Sequence, residues 1–227
     1  MRGYICSMEL NTVIFDMDGL LIDSEPLWKQ AAEEFFSEHN IKLSPEQYAK
    51  TTGMRTKEFL LFWFTYFKIS QTKLLQAEER IVNRVIELVQ QRGKPMPGVS
   101  YIFDFFKGRN FNIGLATSSG PALMEVVTNM LGIKKDLGAL SSANDLAYGK
   151  PHPEVYLNCA EKLSVHPGQC ICFEDSFNGM IAAKAAGMKC VIVPEPSIYP
   201  KTKWDAADIK IRSLKDFDEV HLGNLNA

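Results

Sequence analysis

The residues with most chemistry to offer stand where the run Thr12-Val13-Ile14-Phe15 ends: Asp16-Met17-Asp18-Gly19. Burying like charges two residues apart is costly unless a cation or a bound proton compensates. The pair therefore fits a metal site, an acid/base pair, or both, while on local grounds alone Asp16 and Asp18 could also be turn and cap residues. A calcium loop counted from Asp16 fails, because its fifth, sixth and twelfth positions hold Leu20, Leu21 and Leu27 instead of oxygen ligands and glycine.

Partners for these carboxylates occur downstream. Thr117-Ser118-Ser119-Gly120 is a run of hydroxyls and N–H groups ahead of a helix pattern, suited to an anion or to a helix cap. Lys150 lies in Gly149-Lys150-Pro151-His152-Pro153-Glu154, where Pro151 replaces the Ser or Thr of a phosphate-binding P-loop. Glu174-Asp175 is a second acidic pair after an apolar run. Cys170 and Cys172 share one face of that run, and without a second pair or a spaced His they read as core thiols.

The elements that must position these groups follow from hydrophobic periodicity. Thr12 to Phe15 reads as a strand buried on both faces, and Glu25 to about Arg92 is helical throughout. Gly93 to Gly98 then reads as a hinge. Beyond it strands near 112–116, 139–141, 169–173, 189–193 and 208–211 alternate with helices near 99–107, 121–131, 153–163 and 177–186. Such alternation predicts an α/β fold: a Rossmann-like parallel sheet with helices on both faces. The helical block is then an inserted cap, giving a core of residues 1–24 and 96–227 and a cap of residues 25–95. In such sheets ligands collect at the carboxyl ends of the strands, where all four polar clusters fall.

Composition narrows the function classes. With 25 Lys and Arg against 27 Asp and Glu, the chain has no net basic charge to attract nucleic acid or anionic lipid. Five cysteines without framework spacing, and no signal-peptide pattern in Met1 to Leu10, point to the cytoplasm. Phe59 to Phe67 is too short to span a bilayer and reads as a buried cap helix, which favours a monomer over a dimer built on that face.

Taken in order, Asp16-Met17-Asp18-Gly19, Thr117, Lys150 and Glu174-Asp175 resemble the four motifs of the haloacid dehalogenase superfamily, and the cap position resembles members with a small helical cap. Asp16 to Trp28 and Gly149 to Glu154 are similar to bacterial phosphatases of 2-deoxyglucose 6-phosphate and hexitol phosphates, and Asp16 to Trp28 also resembles β-phosphoglucomutases. The resemblance implies Asp16 as nucleophile and Asp18 as acid and base. It implies Mg²⁺ held by Asp16, the Asp18 carbonyl, Glu174 and Asp175, and phosphate held by Thr117, Ser118 and Lys150. Arg55, in the cap loop Thr52-Gly53-Met54-Arg55, is a candidate substrate contact. The expected activity is a Mg²⁺-dependent phosphatase of small phosphorylated sugars or polyols, through an aspartyl-phosphate. A phosphoglucomutase-type isomerase and a non-catalytic binding protein are the alternatives. Trp28 argues against the isomerase, because the matching mutase position is a histidine, and indole takes no proton. Trp28 reads as an apolar wall over the substrate or as packing for the first cap helix.

Overall fold

The computed structural model describes residues 9–227; Cys6 and the reading of the first residues as free of a signal segment lie outside the described residues. Six parallel strands, β1 (Thr12–Phe15), β2 (Asn112–Thr117), β3 (Ala139–Ser142), β4 (Cys170–Glu174), β5 (Lys189–Ile192) and β6 (Ile209–Lys210), form one sheet in the order β3-β2-β1-β4-β5-β6. Strand β1 is central, so burial on both of its faces is dictated by its place, and its β-branched and aromatic residues fit that place. Val13 and Phe15 belong to one apolar layer and Ile14 to the other. The same alternation puts Ile171 and Phe173 in the first layer, and Cys170 and Cys172 in the second.

Helices α5 (Val99–Lys107) and α9 (Glu219–Asn226) contribute to the first layer, with Phe15 stacked on Phe103 at 5.1 Å and Phe106 edge-on to Phe173. Helices α7 (Glu154–Lys162) and α8 (Phe177–Ala185) supply Val155, Tyr156, Met180 and Ala183 to the second. Cys159, Cys170, Cys172 and Cys190 are free thiols buried in this second layer. Burial pushes the thiols of Cys159 and Cys170 up to about 12, so they stay protonated and behave as small hydrophobes. Helix α6 (Pro121–Met130) follows β2.

Between β1 and α5 the regular elements are helices, α1 (Glu25–Ser37), α2 (Pro45–Ala49), α3 (Thr56–Tyr66) and α4 (Leu74–Arg92), flanked by isolated bridges from Ile22 to Asp18 and Pro95. Helix α4 packs on both α1 and α3. The aromatic run forms α3, burying Leu60, Trp63 and Phe64 while Leu61, Phe62 and Tyr66 remain exposed. Its apolar character all round therefore exceeds what the helix buries. The two connections to this block run side by side: Asp23 N–H donates to the Lys94 carbonyl at 2.9 Å, and Met96 N–H to the Leu21 carbonyl at 2.9 Å. The expected last strand shrinks to Ile209–Lys210, and α9 is an element the periodicity does not announce. No helix among the described residues is long and apolar enough to cross a membrane.

Candidate active site

Register assembles the site. Phe15 pairs with Leu115 on one side and Phe173 on the other, so in a parallel sheet Asp16, Ala116 and Glu174 stand at one level of the same edge. Asp16 N–H still donates to the Phe173 carbonyl at 3.0 Å, which fixes the residue at the strand end. Gly19 turns the chain away with φ +78°, a conformation that disfavours any side chain, and a Cβ there would overlap the Asp175 carboxylate.

Lys150 is the hub beside Asp16. It is 2% exposed, and its Nζ donates to Asp16 Oδ1 at 2.5 Å, Glu174 Oε1 at 2.6 Å and the Ala116 carbonyl at 3.3 Å. Burial alone would lower its pKa, but Asp16 and Glu174 outweigh that and raise it, so the ammonium persists. Glu174 is fully buried, and both of its oxygens are engaged. Oε1 accepts from Lys150 and from the Tyr156 hydroxyl at 2.6 Å; Oε2 accepts from the Asp175 and Ser176 N–H groups and the Ser176 hydroxyl, each at 3.0 Å. The first turn of α8 approaches so closely that a Cβ at Gly179 would overlap this carboxylate.

The second carboxylate of the first motif is held differently. Asp18 Oδ1 accepts from Ser24 Oγ at 2.7 Å and from the Trp28 indole N–H at 2.9 Å; Oδ2 accepts from Ser119 Oγ at 2.7 Å and Thr117 Oγ1 at 3.4 Å. Trp28 thus does more than wall the substrate or pack its helix: it ties Asp18 to α1. Ser24 occupies the N-cap position of α1 but makes no side-chain cap bond, because its hydroxyl is turned to Asp18.

One cleft runs from Asp16 and Asp18 past Thr117, Ser118 and Asp175 into the helical block, reaching Tyr48, Phe59 and Ile81. Oxygens of Asp16, Glu174 and Asp175 lie within 4.8 Å of one another. Burial raises Asp16 well above the usual carboxylate range; Lys150 opposes this, and Glu174 and Asp18 add to it. Asp175 is raised well above that range by burial, then by Glu174, Asp16 and Glu25. Glu25, which also lines the cleft, is pushed to about 7 by burial and by Asp18, Glu195 and Asp23. The site as folded gathers more carboxyl groups than the single Lys150 ammonium pairs with.

Of the sequence candidates, Asp16, Asp18, Thr117, Ser118, Lys150 and Asp175 all line this cleft, with Glu174 directly behind Lys150. Arg55 does not line it. Its guanidinium donates to the carbonyls of Ala143 at 3.1 Å and Leu146 at 2.9 Å, and pairs with Glu58. Two further bonds dock the same loop: Ser118 Oγ donates to the Gly53 carbonyl at 2.8 Å, and Asn178 Nδ2 to the Thr52 carbonyl at 3.0 Å. Sequence reasoning missed Ser24, Tyr156, Ser176 and Glu25, and it placed Ser119 in a hydroxyl run without foreseeing its bond to Asp18. A serine beside each acidic motif was visible, but its hydroxyl had equally good local partners as a helix cap.

Comparison with known proteins adds descent to geometry. Residues 10–187 match the family model described as haloacid dehalogenase-like hydrolase. The chain belongs to that family. Hexitol phosphatase B of Escherichia coli (strain K12) is 37% identical over 209 residues, covering 92% of this chain and 94% of that protein. The β-phosphoglucomutase of Bacillus subtilis (strain 168) is 31% identical over 220 residues, covering 91% of each. The crystal structure of β-phosphoglucomutase from Clostridium difficile superposes with a TM-score of 0.85 at 23% identity, covering 96% of this chain and 97% of that one, which establishes the fold.

Proposed function

We propose that this member of the family is a Mg²⁺-dependent phosphatase of small phosphorylated sugars or polyols, of the hexose and hexitol 6-phosphate type. The observation that carries the reading is that Asp16 and Asp18 face one cleft, with Asp16 ion-paired to a buried lysine and Asp18 held by four donors. The likeness to a hexitol phosphatase over nine-tenths of the chain supports the substrate class.

The residues fit a divalent cation. Three carboxylates converge within 4.8 Å, and both Asp16 and Asp175 carry pKa values raised by burial and by their acidic neighbours, the condition a cation relieves. Asp16 and Asp175 would hold it together with the Asp18 carbonyl, while Glu174, with both oxygens engaged, orients Lys150 and the Asp175 backbone. When bound, Mg²⁺ supplies neutralising charge to the phosphoryl oxygens and screens them from the acids.

In the first step a carboxylate oxygen of Asp16 attacks phosphorus, the bond from phosphorus to the sugar oxygen breaks, and protonated Asp18 gives its proton to that oxygen. In the second, Asp18 takes a proton from a water molecule whose oxygen attacks phosphorus, releasing phosphate and restoring Asp16. Thr117, Ser118 and Lys150 steady the phosphoryl group and the nucleophile. On this reading residues 1–24 and 96–227 serve as the chemical core and residues 25–95 as a cap. We take the protein to act as a cytoplasmic monomer.

The isomerase reading is set aside because of Trp28. Its N–H already donates to Asp18 Oδ1, so the link between cap and acid/base is a donor that never titrates. A coupled assay decides between the two. Steady phosphate release from hexitol or hexose 6-phosphates, with negligible conversion of β-glucose 1-phosphate to glucose 6-phosphate, is expected; isomerisation faster than phosphate release would reverse the assignment.

A further inference from the structure

Among the described residues lining the cleft, Lys150 is the sole cation, and it is committed to Asp16, Glu174 and the Ala116 carbonyl. Four carboxylates line the same cleft: Asp16, Asp18, Glu25 and Asp175. The cationic residue of the adjoining loop, Arg55, is spent elsewhere. Its terminal nitrogens face the carbonyls of the 143–147 turn and Glu58, and its Nε is enclosed without a partner. Towards the cap the lining is Trp28, Tyr48, Met54, Phe59 and Ile81, relieved by the hydroxyls of Thr52 and Thr56. Glu25 lies beside Gly19 in an acidic neighbourhood, with Asp18, Glu195 and Asp23 acting on it.

A phosphorylated molecule bound with its phosphate at Asp16 must place its other end against this wall. Hydroxyls on that end keep partners in threonine, tyrosine and carboxylate oxygens, and methylene groups match the rings. An anion on that end would shed its hydration with no counter-charge available. We propose that the cleft is built for monophosphates with an uncharged tail, and that it rejects bisphosphates and phosphorylated sugar acids on charge. The inference rests on the phosphatase reading and narrows its substrate class. It also assigns the selectivity to the cap wall, which offers no cation to the tail.

Sorbitol 6-phosphate and 6-phosphogluconate isolate the charge, since they share carbon chain and phosphate and differ at one end, CH₂OH against carboxylate. The test is kcat/KM for each, from phosphate release with Mg²⁺, in the wild type and in Met54→Lys. Thr56→Lys provides the same charge where Met54→Lys does not fold. The wild type is expected to prefer the polyol at least about tenfold. The lysine variant should shrink that ratio about threefold or more by gaining activity on the acid. A wild-type ratio near one overturns the proposal. So does a wild-type preference that an added lysine leaves unchanged, because the discrimination would then come from shape. Absence of phosphate release from these and every other sugar phosphate overturns the phosphatase reading, and this proposal with it.

Discussion

Asp18 receives four donors from two parts of the chain: Ser24 and Trp28 at the start of α1, and Thr117 and Ser119 at the end of β2. Three of them are hydroxyls that can rotate to serve either protonation state of the carboxyl, whereas the indole N–H only donates. Trp28→Phe should therefore lower kcat on a sugar phosphate about tenfold, the scale of one hydrogen bond to a charged group, while leaving the melting temperature nearly unchanged. Wild-type kcat in that variant would mean the indole is packing alone. Glu25 offers a pH test. Its folded pKa, about 7, exceeds its ordinary 4.5, so the folded state binds the extra proton between these values and stability falls as pH rises through that window. In metal-free protein Glu25→Gln should remove the share of the fall that belongs to Glu25, leaving the share that raised Asp16 and Asp175 contribute. The advantage of the variant in thermal unfolding should grow from pH 5 to pH 8, by about 1–3 kcal/mol for this half-buried group. A gap independent of pH would refute the assignment.

At the scale of elements, β1 and the end-to-end alignment of the strands were legible, because a short β-branched run flanked by acids admits few other roles. Helix α5 and the loss of regular structure after Arg92 were equally plain. Helix α9 was not. Its eight residues include Gly223 and show little amphipathic rhythm; Asp218, whose carboxylate accepts from His221 N–H, and the burial of Leu222 and Leu225 hold it in place. Nor was the direction of Arg55 legible, since its partners are backbone carbonyls 88 and 91 residues away in sequence, which no pattern marks. Those bonds make Arg55 a tie between cap loop and core. Arg55→Ala should cut kcat/KM for a sugar phosphate about tenfold or more, while p-nitrophenyl phosphate, which has no sugar to enclose, should change less than about threefold. Equal losses on both would return Arg55 to the role of a substrate ligand.

For the whole molecule, the order of the motifs along the chain gave the architecture away, and the parallel sheet explains why: each crossover returns the chain to the same edge, so residues scattered from 16 to 175 share one mouth. What stayed hidden were the short polar contacts that form only after the edge is assembled, such as Tyr156 to Glu174 and Ser119 to Asp18. Because that assembly gathers the acids, Mg²⁺ should bind the folded chain far better than the unfolded one and raise the melting temperature with concentration, by linkage. Asp175→Ala should abolish the response, and an unchanged melting curve up to about tens of millimolar Mg²⁺ in the wild type would count against the metal site. The central claim is that Asp16 is the group that takes the phosphoryl. It is tested most directly by phosphate release from sorbitol 6-phosphate with Mg²⁺, comparing the wild type with Asp16→Asn, which preserves volume and removes the nucleophile. The account predicts sustained release by the wild type and a loss of about 10³-fold or more in a variant that remains folded. Release by folded Asp16→Asn at more than a few per cent of the wild-type rate would contradict it.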